Sequence, residues 1–325
     1  MSGARAPDEA GVIAAILAAS QGSGAYRPRL GAGDDAAVLA GGEVVTTDVM
    51  VEGVHFDARS SAADLGWKLV AVNASDVGAM GCRPTWALLT LSLPRPVAPA
   101  WLEGFSAGLG EALRRFGVAL VGGDTTRSPG PVVVSLTLAG EGPRAVLRSG
   151  ARPGDRIWVT GALGEAAAGF YGALPGAPPP AEGLAWLRRP EPPVALGAAL
   201  GASGQVTAMM DLSDGLARDL ARLCAASGVG AVVDPERLPR GPSLAGVADP
   251  VPFQVAFGDD YQLLLTAPPG SSAGIQALAA AHGARLTEIG QVIEGAGAAL
   301  IGRPWPDALF EHFAEDRQDG LPGLP

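Results

Sequence analysis

The chain has 325 residues, a formal net charge of −10, 48% hydrophobic residues and 17% charged residues. This composition supplies a large core and excludes wholesale disorder, while the acidic balance argues against binding nucleic acid by charge alone. The apolar residues form short runs, and none reaches the roughly 20 residues that span a membrane. The length predicts two domains, and the lack of a signal-peptide pattern predicts a cytoplasmic protein without membrane contact.

The first half of the chain alternates between helical and strand patterns and predicts a mixed α/β fold. Predicted helices lie at 10–20, 61–80 and 98–116, and predicted strands lie at 43–48, 85–93, 118–121 and 132–139. A segment rich in Gly, Arg and Pro at 140–155 indicates a domain junction, so we expect domains at 1–145 and 146–325. The two cysteines, Cys82 and Cys224, are far apart and are expected to be buried free thiols.

The second half predicts a further α/β unit. Its predicted helices lie at 164–171, 214–227 and 272–282, and its predicted strands lie at 156–160, 206–211, 231–234, 261–266, 286–292 and 298–301. The Pro-rich segment 172–193 is predicted to be irregular. No fixed-period repeat is visible, which excludes solenoids and propellers.

Aspartates recur where predicted strands end. Asp48, Asp124 and Asp211 each close an apolar strand, and ligands of open α/β sheets bind at the carboxyl ends of strands. Asn73 and Asp76 are three residues apart on a predicted helix and therefore share a face. Further aspartates in Gly- and Ser-rich segments are Asp34, Asp35, Asp214, Asp259 and Asp260.

Carboxylates gathered in one place repel each other unless a cation neutralises them. Mg²⁺ prefers oxygen ligands and is usually held by one or two carboxylates together with phosphate oxygens. The chain has no GxxxxGK[ST] segment, so phosphate binding would depend on metal ions, arginine and backbone N–H groups. The alternative stays open that each Asp only caps a helix or a turn, as Asp214 could for the helix that follows it.

Three basic side chains are further candidates. His55 follows the strand that carries Asp48, although a lone histidine is more often a structural donor. Arg148 could bind a phosphate through two N–H groups, or could be solvated like most arginines. Lys68 is the only lysine of the chain and is predicted to lie on a helix surface with its stem against apolar neighbours.

Taken together, the motifs resemble those of the thiamine-monophosphate kinase family. They occur in the family's order over most of the chain, and single pieces recur in a superfamily that includes aminoimidazole ribonucleotide synthetase. The matching segments are GDDAA at 33–37, TTDVMVEGVHF at 46–56, AVNASDVGAMG at 71–81, GGDTTRSP at 122–129, VTG at 159–161, MDLSDGL at 210–216 and GDDYQL at 258–263.

The resemblance implies direct in-line phosphorylation of thiamine monophosphate by ATP, with several Mg²⁺ ions and no covalent phospho-enzyme. It also implies a two-domain fold whose N-terminal domain forms a shared β-barrel in a homodimer, closed by a C-terminal α/β domain. The implied Mg²⁺ ligands are Asp35, Thr46, Thr47, Asp48, Asp76, Asp124, Asp211 and Asp214, with Asp48, Asp124 and Asp211 central to catalysis. The implied nucleotide contacts are Gly123, Asp124, Arg148 and Ser213. The implied contacts to thiamine phosphate are His55, Asp259 and Phe310.

Two positions depart from the family pattern. Members often have Glu where this chain has Asp259, which shortens the side chain by one methylene group. A tyrosine can occur where this chain has Phe310, and phenylalanine keeps ring stacking but loses the hydroxyl group. Neither departure affects the implied metal ligands.

Two other interpretations stay open. A ligase of the same superfamily, similar to aminoimidazole ribonucleotide synthetase, would use related aspartate motifs, although segment 46–56 favours the kinase. A non-enzymatic acidic metal-binding module would place its ligands within one short loop. Here the aspartates are scattered from Asp34 to Asp260, which requires a folded cleft.

Overall fold

The computed structural model describes residues 9–20, 24–174 and 176–305. It begins with helix α1 (Glu9–Ser20) and continues into a five-stranded sheet. The strands of this N-terminal sheet are β1 (Ala37–Val38), β2 (Val44–Val51), β3 (Arg83–Leu93), β4 (Ala119–Arg127) and β5 (Val133–Glu141). Their order is β1-β2-β5-β3-β4, in which β3 and β4 are parallel and the other neighbours are antiparallel.

Two long helices cover one face of the N-terminal sheet. Helix α2 (Ala62–Ala79) begins with a capping box in which the Ser61 and Asp64 side chains each accept a hydrogen bond from the other's backbone N–H. Helix α3 (Pro99–Phe116) packs closely against it, because a Cβ added at Gly108 would lie 1.9 Å from the Ala63 carbonyl oxygen. Leu136 and Leu138 of β5 are fully buried beneath these helices.

The second half of the chain forms a six-stranded sheet of order β11-β8-β10-β6-β9-β7, in which only β11 and β8 are parallel neighbours among the described strands. Its strands are β6 (Arg156–Thr160), β7 (Ala208–Asp211), β8 (Gly230–Val233), β9 (Leu263–Ala267), β10 (Leu286–Ile293) and β11 (Gly297–Leu300). The accompanying helices are α4 (Glu165–Tyr171), α5 (Ala181–Arg188), α6 (Val194–Ser203), α7 (Leu216–Ser227), α8 (Val251–Ala256) and α9 (Ser272–Ala281).

The predicted mixed α/β fold with two sheets is confirmed, but several elements differ from the prediction. Segment 172–193 is not wholly irregular, since it contains α5, and neither α6 nor α8 was predicted. Helix α6 has the sequence VALGAALGAS, which is apolar on every side and therefore lacks the 3.6-residue pattern that marks a surface helix. The thiols of Cys82 and Cys224 are buried and free, as predicted.

Two strands continue past the aspartates that were expected to end them. Strand β2 runs to Val51, so Asp48 lies within it, and β4 runs to Arg127, so Asp124 also lies within its strand. Asp211 does end β7. Val49 and Val51 after Asp48, and Thr125 and Thr126 after Asp124, favour extended backbone, so both strands continue.

Helix α2 lies between the two sheets and contacts both halves of the chain. Its Trp67 indole N–H donates to the Pro190 carbonyl at 2.9 Å. Gly78 allows α6 to approach, because a Cβ there would lie 3.0 Å from the Cα of Val194. Within the described residues, no helix is both long enough and apolar enough to cross a lipid bilayer.

Candidate active site

Strand β2 and helix α2 bring the first carboxylates together. The Thr46 hydroxyl donates to Asp76 Oδ2 at 2.6 Å. The backbone N–H of Asp48 donates to Asn73 Oδ1 at 3.1 Å. This side-chain acceptor is needed because β1 pairs only with the first two residues of β2, and a backbone N–H requires a partner. Asn73 and Asp76 therefore face the same strand, as their spacing predicted.

The loop before β1 adds Asp34 and Asp35, and both contact Arg148. The Arg148 guanidinium donates to Asp35 Oδ1, with N–O distances of 2.6 and 3.2 Å. Its backbone N–H donates to Asp34 Oδ2 at 3.1 Å. The other oxygen of Asp35, Oδ2, is buried and has no hydrogen-bond partner. A buried carboxylate oxygen without a partner is costly, so this atom is suited to a cation.

Asp211 completes a group that we call the carboxylate cluster: Asp35, Asp48, Asp76 and Asp211. The Ser75 hydroxyl of α2 donates to Asp211 Oδ2 at 2.6 Å. Burial, followed by repulsion from Asp211, raises the pKa of Asp48 to about 6. Burial is also the main reason that the pKa of Asp211 rises to about 6. The same two causes, burial and neighbouring carboxylates, raise the pKa values of Asp35 and Asp76 well above the usual range.

The carboxylate cluster fits divalent cations on its donor chemistry. Its oxygens are hard ligands, its members repel one another, and Asp35 Oδ2 lacks a partner. Among the residues that the structure describes, no three His, Cys, Asp or Glu side chains are close enough to enclose an ion by themselves. The arrangement therefore suits Mg²⁺, which takes one or two carboxylates and completes its shell with phosphate oxygens and water.

Asp214 lies at the start of α7 but does not cap it. The helix begins after Gly215, and the Asp214 side chain accepts from the Arg222 guanidinium. The buried Asp219 accepts from the backbone N–H of Asp214 at 3.0 Å and from Arg222 at 3.0 Å. Burial, followed by repulsion from Asp214, raises the pKa of Asp219 to about 8. Asp214 is thus held by a charged network and is not a simple cap.

Thr47 and Asp124 lie on the outer face of the N-terminal sheet, opposite the carboxylate cluster. The Thr137 hydroxyl donates to Thr47 Oγ1 at 3.2 Å. Because successive side chains of a strand point to opposite faces, Thr47 and Thr46 lie on different faces of the sheet. Asp124 is in register with Thr90, three strands from β2 or on the order of 14 Å away. Gly123 is required beside it, because a Cβ there would lie 1.9 Å from the Leu89 carbonyl oxygen.

The loop at 257–261 lies against the segment that follows β7. The backbone N–H of Asp259 donates to the Ser213 carbonyl at 2.9 Å, and a Cβ at Gly258 would lie 1.9 Å from the same oxygen. The Asp259 side chain forms an ion pair with Lys68, with an N–O distance of 2.8 Å. Lys68 is buried, so its predicted position on a helix surface is wrong. The ion pair is possible because α2 lies between the two halves of the chain.

The remaining predicted substrate contacts are His55 and Phe310. His55 is half-buried in the turn after β2, and its Nδ1 accepts from the backbone N–H of Val51 at 3.0 Å. Phe310 lies outside the described residues. The structure thus brings Asp35, Asp48, Asp76 and Asp211 together around α2, while Asp124 occupies a separate strand at the edge of the sheet.

Sequence reasoning missed several residues that support this site. Ser75 contacts Asp211, Asp219 holds the backbone of Asp214, and Lys68 and Tyr261 contact Asp259. One signal was available, since Lys68 and Ser75 are seven residues apart and lie on the same side of a helix. The contacts of Asp219 and Tyr261 carry no comparable local pattern.

Comparisons with known proteins identify the class. The family model for AIR synthase related protein, N-terminal domain, matches residues 33–141, and that for the C-terminal domain matches residues 152–303. The chain belongs to this family of AIR synthase related proteins. The predicted domain boundary at 145/146 lies between the two matches and stays a prediction.

Comparisons with individual relatives identify a more specific group of proteins within this family. A thiamine-monophosphate kinase from Caulobacter vibrioides is 38% identical over 283 residues, covering 82% of this chain and 79% of the relative. The crystal structure of thiamine-monophosphate kinase from Stenotrophomonas maltophilia K279a has a TM-score of 0.74 at 38% identity, covering 90% of this chain and 96% of that one. AaThiL complexed with AMPPCP and TMP has a TM-score of 0.80 at 30% identity, covering 96% and 100%. The resemblance to thiamine-monophosphate kinases is confirmed.

Proposed function

We propose that this chain is a kinase that transfers the γ-phosphate of ATP to thiamine monophosphate and forms thiamine diphosphate. The observation that carries the proposal is that helix α2 brings carboxylates from both halves of the chain together in the carboxylate cluster. Phosphoryl transfer depends mainly on positioning and on neutralising the charge of the phosphates, and an acidic cluster of this kind serves both through Mg²⁺. Relatives at 38% identity are named for this reaction.

The carboxylate cluster would hold ions on the inner face of the sheet, and Thr46 and Asp214 are proposed as further ligands beside it. Thr47 and Asp124 are proposed as ligands on the outer face of the sheet. Bound Mg²⁺ would supply charge neutralisation on the transferring phosphoryl group. Arg148, which donates to Asp35 in this structure, has the planar fork that binds a phosphate through two N–H groups. Gly123 and Ser213 are proposed nucleotide contacts beside Asp124 and Asp214.

On the acceptor side, His55 is oriented by its bond from the Val51 backbone. Because Nδ1 accepts that bond, the neutral ring carries its proton on Nε2, which is then a donor suited to a phosphate oxygen. The acceptor's own phosphate is ionised near neutral pH, so the chain needs no strong general base. Transfer is therefore proposed to be direct and in line, without a covalent intermediate on the protein.

A homodimer through the outer face of the N-terminal sheet is part of the proposal. Every residue of β4 is exposed, and an edge strand with free N–H and C=O groups readily pairs with another strand. Large apolar side chains lie exposed on the strands of this sheet, which marks an interaction surface. They are Val49, Leu88, Leu120 and Val121. A shared barrel would cover them and enclose Asp124. A cytoplasmic location stays a prediction.

The direct test is to incubate the chain with ATP, Mg²⁺ and thiamine monophosphate and to detect thiamine diphosphate by mass spectrometry. The matched control is Asp48→Asn prepared in the same way, which reports any contaminating kinase. We expect diphosphate and ADP in equal amounts from the parent and neither from the control. ATP consumption that needs a different phosphorylated substrate, such as the amidine precursor of an aminoimidazole ring, would instead support the related ligase.

A further inference from the structure

Lys68 is the only lysine of the chain, yet it is buried with 6% of its surface exposed. It lies in the second turn of α2 and donates to Asp259 Oδ2 at 2.8 Å, 191 residues further along the chain. Removing an ammonium group from water is unfavourable unless a partner of good geometry compensates it. The buried ammonium group of Lys68 therefore forms a specific contact between two distant segments and does not serve to keep the surface soluble.

The segment that Lys68 contacts has an unusual backbone. Asp259 and Tyr261 have φ angles of 63° and 47°, in the left-handed region that non-glycine residues rarely occupy. Such conformations persist only where surrounding contacts hold them, and they concentrate at functional sites. Here the Tyr261 hydroxyl donates to Asp259 Oδ1 at 2.9 Å, so both carboxylate oxygens of Asp259 are engaged.

Backbone and side-chain bonds fix this loop beside the proposed metal ligands. The Tyr261 N–H donates to the Leu212 carbonyl at 2.9 Å, directly after Asp211. The buried Asp260 accepts from the N–H of Gly164, at the start of α4, at 2.9 Å. The Asp259 side chain, through Lys68, joins the same loop to α2. The loop is thus held from three directions, and the ion pair is a direct side-chain contact between the loop and α2.

A second contact from the same side of α2 supports this interpretation. Ser75 lies seven residues after Lys68, which places both on one helix face, and its hydroxyl donates to Asp211 at 2.6 Å. One face of α2 therefore binds both the segment 211–214 and the segment 257–261. The first contributes to the carboxylate cluster, and the second contains the proposed acceptor contact Asp259.

We propose that Lys68 is a positioning residue for the phosphoryl acceptor: its ion pair with Asp259 fixes the 257–261 loop in the geometry that binds the phosphorylated substrate. This inference rests on the proposed kinase function. It assigns no direct contact between Lys68 and the substrate. Asp259, where family members often have glutamate, is the carboxylate that accepts from Lys68 and Tyr261.

The test is a double-mutant cycle with Lys68→Met, Asp259→Asn and the double variant. Lys68→Met alone leaves a carboxylate without its cation and could impair folding, whereas the double variant removes both charges and remains measurable. We expect Lys68→Met to raise the KM for thiamine monophosphate roughly 10–100-fold, as loss of a residue that orients a ligand-binding group does. The KM for ATP should change less than the KM for the acceptor, and Lys68→Arg should restore part of the loss.

The decisive result is coupling between the two positions. If Lys68 acts through Asp259, Lys68→Met has little further effect on the acceptor KM once Asp259 is Asn. Arg303→Met is the matched control, because it removes an Arg303–Asp249 ion pair of the same 2.8 Å length elsewhere in the C-terminal half. Folded Lys68 variants with the parent's KM, or effects that simply add, would overturn the inference. A parent protein that forms no thiamine diphosphate would overturn the proposed function, and this inference with it.

Discussion

The two faces of the N-terminal sheet differ in how completely this chain covers them. On the inner face, α2 covers β2, and Asp48 and Asp76 are half-buried with raised pKa values. On the outer face, Thr47 is exposed, and β4 with Asp124 is exposed along its whole length. Both faces carry residues implied as Mg²⁺ ligands. Only the inner set is assembled by contacts within the described chain.

The inner and outer faces of the sheet therefore contribute to the proposed site in different ways. The inner face is organised in advance, because Asn73, Ser75 and Thr46 already hold the carboxylates or the strand that carries them. Holding like charges together costs stability, and such a cluster stores that cost until cations bind. The outer face is exposed in this chain, and the proposed partner surface would exclude water from it. The following predictions test that division, from the largest effect to the smallest.

Asp76→Asn should have the largest effect. It removes a charge at the centre of the inner cluster, where repulsion from Asp48, Asp211 and Asp35 converges. We expect kcat to fall by on the order of 10³-fold, as for loss of a preorganised electrostatic contact. The metal-free variant should melt at a higher temperature than the parent, because one repelling charge is gone. Steady-state kinetics and calorimetry measure both, with Glu103→Gln at an exposed position of α3 as the control. A loss of both stability and activity would show that repulsion within the carboxylate cluster does not lower the stability of the metal-free protein.

Asp124→Ala tests the outer face and should have the next largest effect. We expect turnover to fall by on the order of 10²-fold if Asp124 is a metal or nucleotide ligand. The melting temperature and circular dichroism spectrum should stay those of the parent, because the residue is exposed on β4 and lies outside the core. Near-normal turnover would remove Asp124 from the ligand set and leave the inner cluster as the whole metal site.

Val121→Glu tests whether a second copy covers the exposed strand β4. Val121 has 62% of its surface exposed on β4, and a carboxylate there would be buried in the proposed interface. We expect light scattering to show one chain where the parent shows two, with a smaller loss of activity than for Asp124→Ala. Thr126→Glu, on the same strand, provides a second position. A parent that is already monomeric and fully active would show that the outer face works uncovered.

The smallest expected effect is the change of the melting temperature with pH and with added Mg²⁺. Because the folded pKa of Asp48 and of Asp211 is raised from 3.8 to about 6, the folded protein binds protons more tightly than the unfolded chain. Stability from this source is complete below pH 3.8 and is lost as the pH rises through about 6. With a chelator present, these two groups should lower the melting temperature over that interval. Added Mg²⁺ should stabilise the protein more at pH 7.5 than at pH 5, since protons and cations compete for the same oxygens.

Scanning fluorimetry across pH, with and without Mg²⁺, makes this measurement. Asp48→Asn should flatten the slope in chelator and reduce the gain from Mg²⁺. An equal gain from Mg²⁺ at every pH would indicate that the ions bind elsewhere than at the carboxylate cluster.

The sequence determined much of the fold and the chemical class of the site. Alternation and helical periodicity located most strands and long helices, including α2, because these signals are local. The spacing of Asn73 and Asp76 predicted their shared face for the same reason. The repeated aspartate motifs, through their resemblance to thiamine-monophosphate kinases, indicated magnesium and phosphate chemistry.

Only the tertiary structure decided how these pieces meet. It placed Asp48 and Asp124 within strands and on opposite faces, since strand length depends on pairing partners that the local sequence does not specify. It also buried Lys68, which by its helical context alone reads as a surface residue. Its partner Asp259 lies 191 residues away, and contacts at such separation arise only when packing brings two halves of a chain onto one helix.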